Sequence, residues 1–157
     1  MGLPDQTPGQ YPGRIMALDV GDRRVGIAIS DETQTLARSL TVLHRRSKAR
    51  DFETLAGLVR EHAVMAIVVG LPLSPEGDEG QQARRIRRYA AALTEALAAQ
   101  GLDVPLIFHD ESLSTVTAAQ VLIASGRTRR HRRRRIDATA AAVILQDYLG
   151  SGTKDRT

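Results

Sequence analysis

Three acids stand where the chain passes from one element to the next. Asp19 lies near the end of an apolar run, Glu111 just past another, and Asp137 at the start of an Ala-rich helical segment. A sheet would bring such chain-distant positions together. Hard divalent cations take oxygen ligands, and Mg²⁺ uses only a few carboxylates beside water and substrate phosphate. Converging carboxylates that hold two ions about 3.5–4 Å apart are a standard device for hydrolysing phosphodiesters. Each acid also has a plainer role open to it. Asp19-Val20-Gly21-Asp22 has the composition of a turn, Glu111 suits the first turn of a helix by its charge, and Asp137 suits an N-cap.

A second feature favours the same chemistry. Residues 127–135 hold seven Arg in nine positions and no acid, whereas the rest of the chain carries 15 basic groups against 18 acidic ones. The net charge of +4 therefore conceals a local basic patch. A patch of that density suits a polyanion, and its plainer reading is a solvated loop. Acids would hold metal and arginines would hold the phosphate chain.

The elements that must position these residues follow from apolar spacing. Arg14–Val20 and Arg24–Ser30 read as two strands joined by a short Gly/Asp turn, an antiparallel hairpin. Leu36–Leu43 supplies a third strand. Ala49–His62 has Phe52, Leu55, Ala56 and Val59 at helical spacing, and Glu79–Gln100 has Ala83, Ile86, Ala90, Leu93 and Leu97. Between these helices Val64–Val69 is apolar throughout, as expected of a strand covered on both faces. Val104–His109 is a fifth strand. A helix capped by Ser112 or Ser114 and stopped at Gly126 follows, and a last helix covers Ile136–Leu149. The expected fold is α/β: an antiparallel three-strand meander continued by parallel strands, with helices on both faces of a mixed five-stranded sheet.

Composition narrows the class further. The 157 residues amount to one ordinary domain, expected over 14–149, with a disordered leader at 1–13 and a flexible tail at 150–157. No apolar run approaches the roughly 20 residues of a membrane span, and the first residues lack the pattern of a signal peptide. A cytoplasmic protein with no membrane partner is expected. With no Cys there is no thiol nucleophile or zinc–thiolate site. His44, His62, His109 and His131 show no ligand spacing, although His109 adjoins the acids and is a candidate for assisting proton transfer. Aromatics make up only 3% of the chain, so backbone electrostatics and shape, rather than base stacking, are expected to read a nucleic acid.

Four stretches tie the acids together: LDVGDRRVGIAISD (18–31), VVGLPL with Gly77 (68–77), HDESLSTVTAAQVL (109–122) and RIDATAAAVILQDYL (135–149). In this order they resemble the YqgF/RuvX family, a compact branch of the RNase H-like nucleases associated with pre-16S rRNA maturation and with Holliday junction resolution. The resemblance covers essentially all of 14–149 and implies an RNase H-like fold. It makes Asp19, Glu111 and Asp137 the catalytic metal ligands for Mg²⁺ or Mn²⁺, with Asp110 as an auxiliary ligand. Ser112 stands where the family usually carries Arg. The implied partner is pre-16S rRNA or another structured RNA. Arg23, Arg24, Arg84 and the run Arg127, Arg129, Arg130, Arg132, Arg133, Arg134 and Arg135 are the candidate phosphate contacts.

Branched DNA is the alternative substrate, and symmetric resolution of a four-way junction would require a homodimer rather than a monomer. A non-catalytic RNA-binding assembly factor is the alternative of another class, motivated by Ser112. An actin-like ATPase is disfavoured, because a single domain of this size cannot clamp a nucleotide between two and no Walker-type loop is present.

Overall fold

The computed structural model describes residues 12–72, 80–110 and 140–151. Most of the expected leader, residues 73–79, Glu111, the expected helix after Ser112, the Arg127–Arg135 run, Asp137 and residues 152–157 lie outside the described residues. Five strands form one sheet: β1 Arg14–Val20, β2 Arg24–Ser30, β3 Ala37–His44, β4 Val64–Leu71 and β5 Leu106–Asp110. Their order is β3-β2-β1-β4-β5, antiparallel through the meander and parallel across β1, β4 and β5. Helices α1 (Lys48–Glu61) and α2 (Gln81–Ala99) connect the parallel strands. A further helix, α3, occupies residues 140–151 and so runs two residues beyond the expected end at Leu149.

Side chains alternate across a strand, and β1 uses that period to serve two cores. Met16, Leu18 and Val20 pack with Phe52, Leu55, Val59, Ile86, Leu93 and Leu97 beneath α1 and α2. Ile15 and Ala17 pack on the opposite face with Ala28, Ala66, Val68 and Ile107 against Ala141, Ile144, Leu145 and Tyr148 of α3. The second core is built on small residues. Ala17, Ala28 and Ala66 form a flat floor on which an Ala-rich helix can lie close, without large side chains to lift it. Burial on both faces explains the unbroken apolar run of β4, which extends through Gly70 and Leu71, two residues past its expected end.

The apolar spacing assigned the helical faces correctly. Phe52, Leu55, Ala56 and Val59 are buried on α1, and Ala83, Ile86, Ala90, Leu93 and Leu97 on α2. Helix α1 opens at Ser47, whose hydroxyl accepts from the Arg50 N–H at 3.2 Å. The buried Asp51 carboxylate accepts from the Arg46 N–H at 3.1 Å. Between β2 and β3, Asp31 accepts from the Thr33 hydroxyl and from the Thr35 and Leu36 N–H groups at 2.7–3.1 Å. Those bonds favour its charged form and hold the carboxyl below its ordinary pKa.

Leu145 is fully buried where α3 meets the sheet. Leu145→Ala is expected to lower unfolding free energy by about 2–5 kcal/mol, measured by urea denaturation, with an unchanged far-ultraviolet spectrum.

Candidate functional site

Asp19 is the next-to-last residue of β1, the strand at the centre of the sheet. The alternation that turns Ile15 and Ala17 toward α3 puts Asp19 on that same face, half-buried. Its partner in register on β2 is Gly26. On the other side Leu18 pairs with Val69 of β4, so Asp19 stands one step further along, beside Gly70. A residue without a side chain thus flanks the carboxylate on each neighbouring strand.

The chain leaves β1 through a tight turn. The Gly21 N–H donates to the Arg24 carbonyl at 2.8 Å. A Cβ on Gly21 would lie 2.9 Å from that same oxygen, closer than real contacts allow, so the turn requires glycine. Arg45 braces it from β3's end. Its N–H donates to the Arg23 carbonyl at 2.8 Å and its guanidinium to the Gly21 carbonyl at 2.7 Å. Arg23 and Arg24 are exposed on this turn, immediately beyond Asp19, and Arg84 is exposed near the start of α2.

The far side of the site is held by α3. His109 of β5 pairs with Gly70 and faces the same side as Ile107. Its Nε2 lies 2.7 Å from Asp147 Oδ2 on α3, where the imidazole donates because an ionised carboxylate only accepts. The His109 ring also meets Tyr148 edge-on at 5.7 Å. At the other edge of the sheet the Ala37 N–H donates to Gln146 Oε1 at 3.0 Å, and Gln146 Nε2 donates to the Thr35 carbonyl at 3.1 Å. Helix α3 is therefore fastened to β5 on one side and to the start of β3 on the other. Sequence spacing gave no sign of these contacts, which join residues 38 and 109 positions apart. His109, read from the sequence as a candidate for proton transfer, is engaged with α3.

Asp110 ends β5 and is exposed. Strand alternation sets it on the opposite side from His109, and β4 stands between β5 and β1, a separation of roughly 10 Å. Glu111 and Asp137 lie outside the described residues, and among the described residues no three metal-ligating side chains converge. What the structure offers a cation is a half-buried carboxylate at the end of the central strand, with Gly26 and Gly70 beside it. That is a hard oxygen donor, which fits Mg²⁺ or Mn²⁺ and not a soft thiolate-seeking metal.

Comparison with known proteins agrees with this architecture. Residues 13–151 match the family described as "RuvX: Holliday junction resolvase". A protein of Roseiflexus sp. (strain RS-1) is 42% identical over 140 residues, covering 89% of this chain and 96% of the relative. One from Moorella thermoacetica is 45% identical over 136 residues, covering 87% and 94%. Both are named "Putative pre-16S rRNA nuclease". Among solved structures, RuvC of T. thermophilus in complex with a Holliday junction substrate aligns with a TM-score of 0.55 at 12% identity, covering 90% of this chain and 96% of that one. The yeast mitochondrial Holliday junction resolvase Ydc2 aligns with a TM-score of 0.56 at 9% identity, covering 98% and 85%. At such identities these structures establish the likeness of fold.

A double-mutant cycle on His109→Ala and Asp147→Ala is expected to give a coupling energy of about 0.5–1 kcal/mol. That is modest because Asp147 is about half exposed. Additive losses would show that the pair does not fasten α3.

Proposed function

The chain belongs to the RuvX family of nucleases, and we propose that it processes the 5′ end of pre-16S rRNA in the cytoplasm by metal-dependent phosphodiester hydrolysis. The observation that carries this reading is the near full-length similarity to relatives bearing that name, joined to a carboxylate at the end of the central strand of a RuvC-like sheet. Asp19, Glu111 and Asp137 are the residues assigned to hold Mg²⁺ or Mn²⁺. Asp110, the auxiliary ligand that the resemblance implies, is left out of this set, because strand alternation turns it away from the Asp19 face and β4 stands between the two strands.

When bound, the ions supply a water of lowered pKa and neutralise charge building on the phosphate. The protein's own contribution is placement. Hydrogen bonding on both sides of β1 fixes the backbone that carries Asp19, so the carboxylate needs no reorganisation when substrate arrives. Gly26 and Gly70 flank it without side chains, and the scissile phosphate is assigned to that strand end. Arg23, Arg24 and Arg84, together with Arg127, Arg129, Arg130, Arg132, Arg133, Arg134 and Arg135, are assigned to neighbouring phosphates. Such contacts position a strand and do not read its sequence.

Labelled pre-16S leader RNA and a synthetic four-way DNA junction, incubated side by side with Mg²⁺, Mn²⁺ or EDTA, test the proposal. Metal-dependent RNA cutting is expected, with Asp19→Asn slower by on the order of a thousandfold, since a bound ion contributes several kcal/mol to the transition state. Symmetric nicking of the junction alone would replace RNA by branched DNA as the substrate. RNA binding without cutting of either substrate would make the chain a binding factor.

A further inference from the structure

On the α1/α2 face of the sheet, next to the β1–β2 turn, lies a cleft of about 350 Å³ that none of the assigned residues lines. Its walls come from three places in the chain: Val20–Asp22 at the end of β1, Arg45 and Lys48 before and at the start of α1, and Arg85, Arg88 and Tyr89 on α2. Four cations face one acid. Asp22 offsets little of that charge, because its ion pair with Arg85 is 3.9 Å long and both side chains are mostly exposed. Nor does the first turn of α2 carry an acid.

The cleft is unsuited to a base or an apolar ligand. Tyr89 is only 3% exposed, its ring covered by the Arg45 guanidinium at 4.9 Å and met edge-on by Phe52 at 5.2 Å, so it offers no face for stacking. Val20 and Ile86 are likewise buried. The Tyr89 hydroxyl is itself buried, without a hydrogen-bond partner among the described residues, so the charged side chains of Arg45, Lys48, Arg85 and Arg88 are what the cleft presents to an occupant. Burial also pushes the Tyr89 phenol up to about 12, so it remains a neutral donor at any working pH.

We propose that this cleft is a phosphate subsite of the nucleic-acid interface, in which Arg45, Lys48, Arg85 and Arg88 engage a backbone phosphate of the strand whose scissile phosphate lies over Asp19. The argument for a strand rather than a free anion is continuity. Val20, which lines the cleft, directly follows Asp19, so both sites open at the same end of β1. The inference rests on the nuclease reading and adds a second grip on its substrate, on the opposite face of the sheet from α3.

The test is RNA binding in EDTA across a salt series, with wild type, Arg85→Gln/Arg88→Gln and Lys48→Gln. Each variant alters exposed side chains, and the two act from different helices. Wild type should give the steepest dependence of log affinity on log salt. The variants should bind about tenfold more weakly near 0.1 M salt, with slopes shallower by about 1. Unchanged affinity and slope in both variants would overturn the subsite. A titration of wild type with inorganic phosphate, followed at the Gly21 and Lys48 amides, separates the two sources of phosphate. Shifts that the variants lose while their RNA slope stays at the wild-type value would mean a free small anion, and would overturn the strand contact. Failure of the wild type to cut either substrate with Mg²⁺ or Mn²⁺ would instead remove the nuclease reading, whatever the slopes.

Discussion

The hydrogen bonding of β1 to β2 on one side and β4 on the other is the constraint from which the rest of the molecule follows. A strand paired at both edges and covered on both faces has almost no freedom at its centre, and Asp19 inherits that rigidity at the strand's end. Isolated at the tip of a loop, a carboxylate would need to be ordered at each binding event, at the expense of conformational entropy. Here folding has already ordered it. Gly26 and Gly70 flank it on the neighbouring strands and add no side chain there.

The two faces of the sheet divide the work. The α1/α2 face carries the larger core, built from Leu, Ile, Val and two aromatic rings, and supplies most of the apolar burial. The α3 face has an alanine floor and relies on polar fasteners at its rims, Gln146 at β3 and Asp147 at β5. Ile144, Leu145 and Tyr148 pack α3 onto that floor, and the polar bonds tie it to both edges of the sheet. That placement matters because Asp137 lies just ahead of α3 in the chain.

Much of this was legible in the residues. The apolar runs RIMALDV and RVGIAIS, joined by a short Gly/Asp turn, marked a hairpin, and the helical spacing in the two long helices identified their buried faces, because burial on one side is what such periodicity records. The five-stranded mixed sheet and the family likeness followed from the same stretches. Element ends were less legible. Gly70 and Leu71 read as the start of a loop because glycine interrupts the β-branched run, yet pairing to His109 and Asp110 keeps them in β4. The fasteners of α3 were invisible, since a hydrogen bond from residue 37 to residue 146 leaves no local pattern. The cleft around Tyr89 was equally hidden, because its cations come from three separate segments and Tyr89 itself fits the helical stripe as an ordinary core residue.

The account turns on a divalent ion bound at the end of β1. Adding Mn²⁺ in small increments to uniformly ¹⁵N-labelled protein, and following amide broadening by NMR, tests this without substrate or turnover. The expected result is selective broadening at Asp19, Gly26 and Gly70, abolished in Asp19→Asn and reversed by excess Mg²⁺. Broadening centred elsewhere, or unchanged by Asp19→Asn, would contradict the placement of the metal and with it the mechanism.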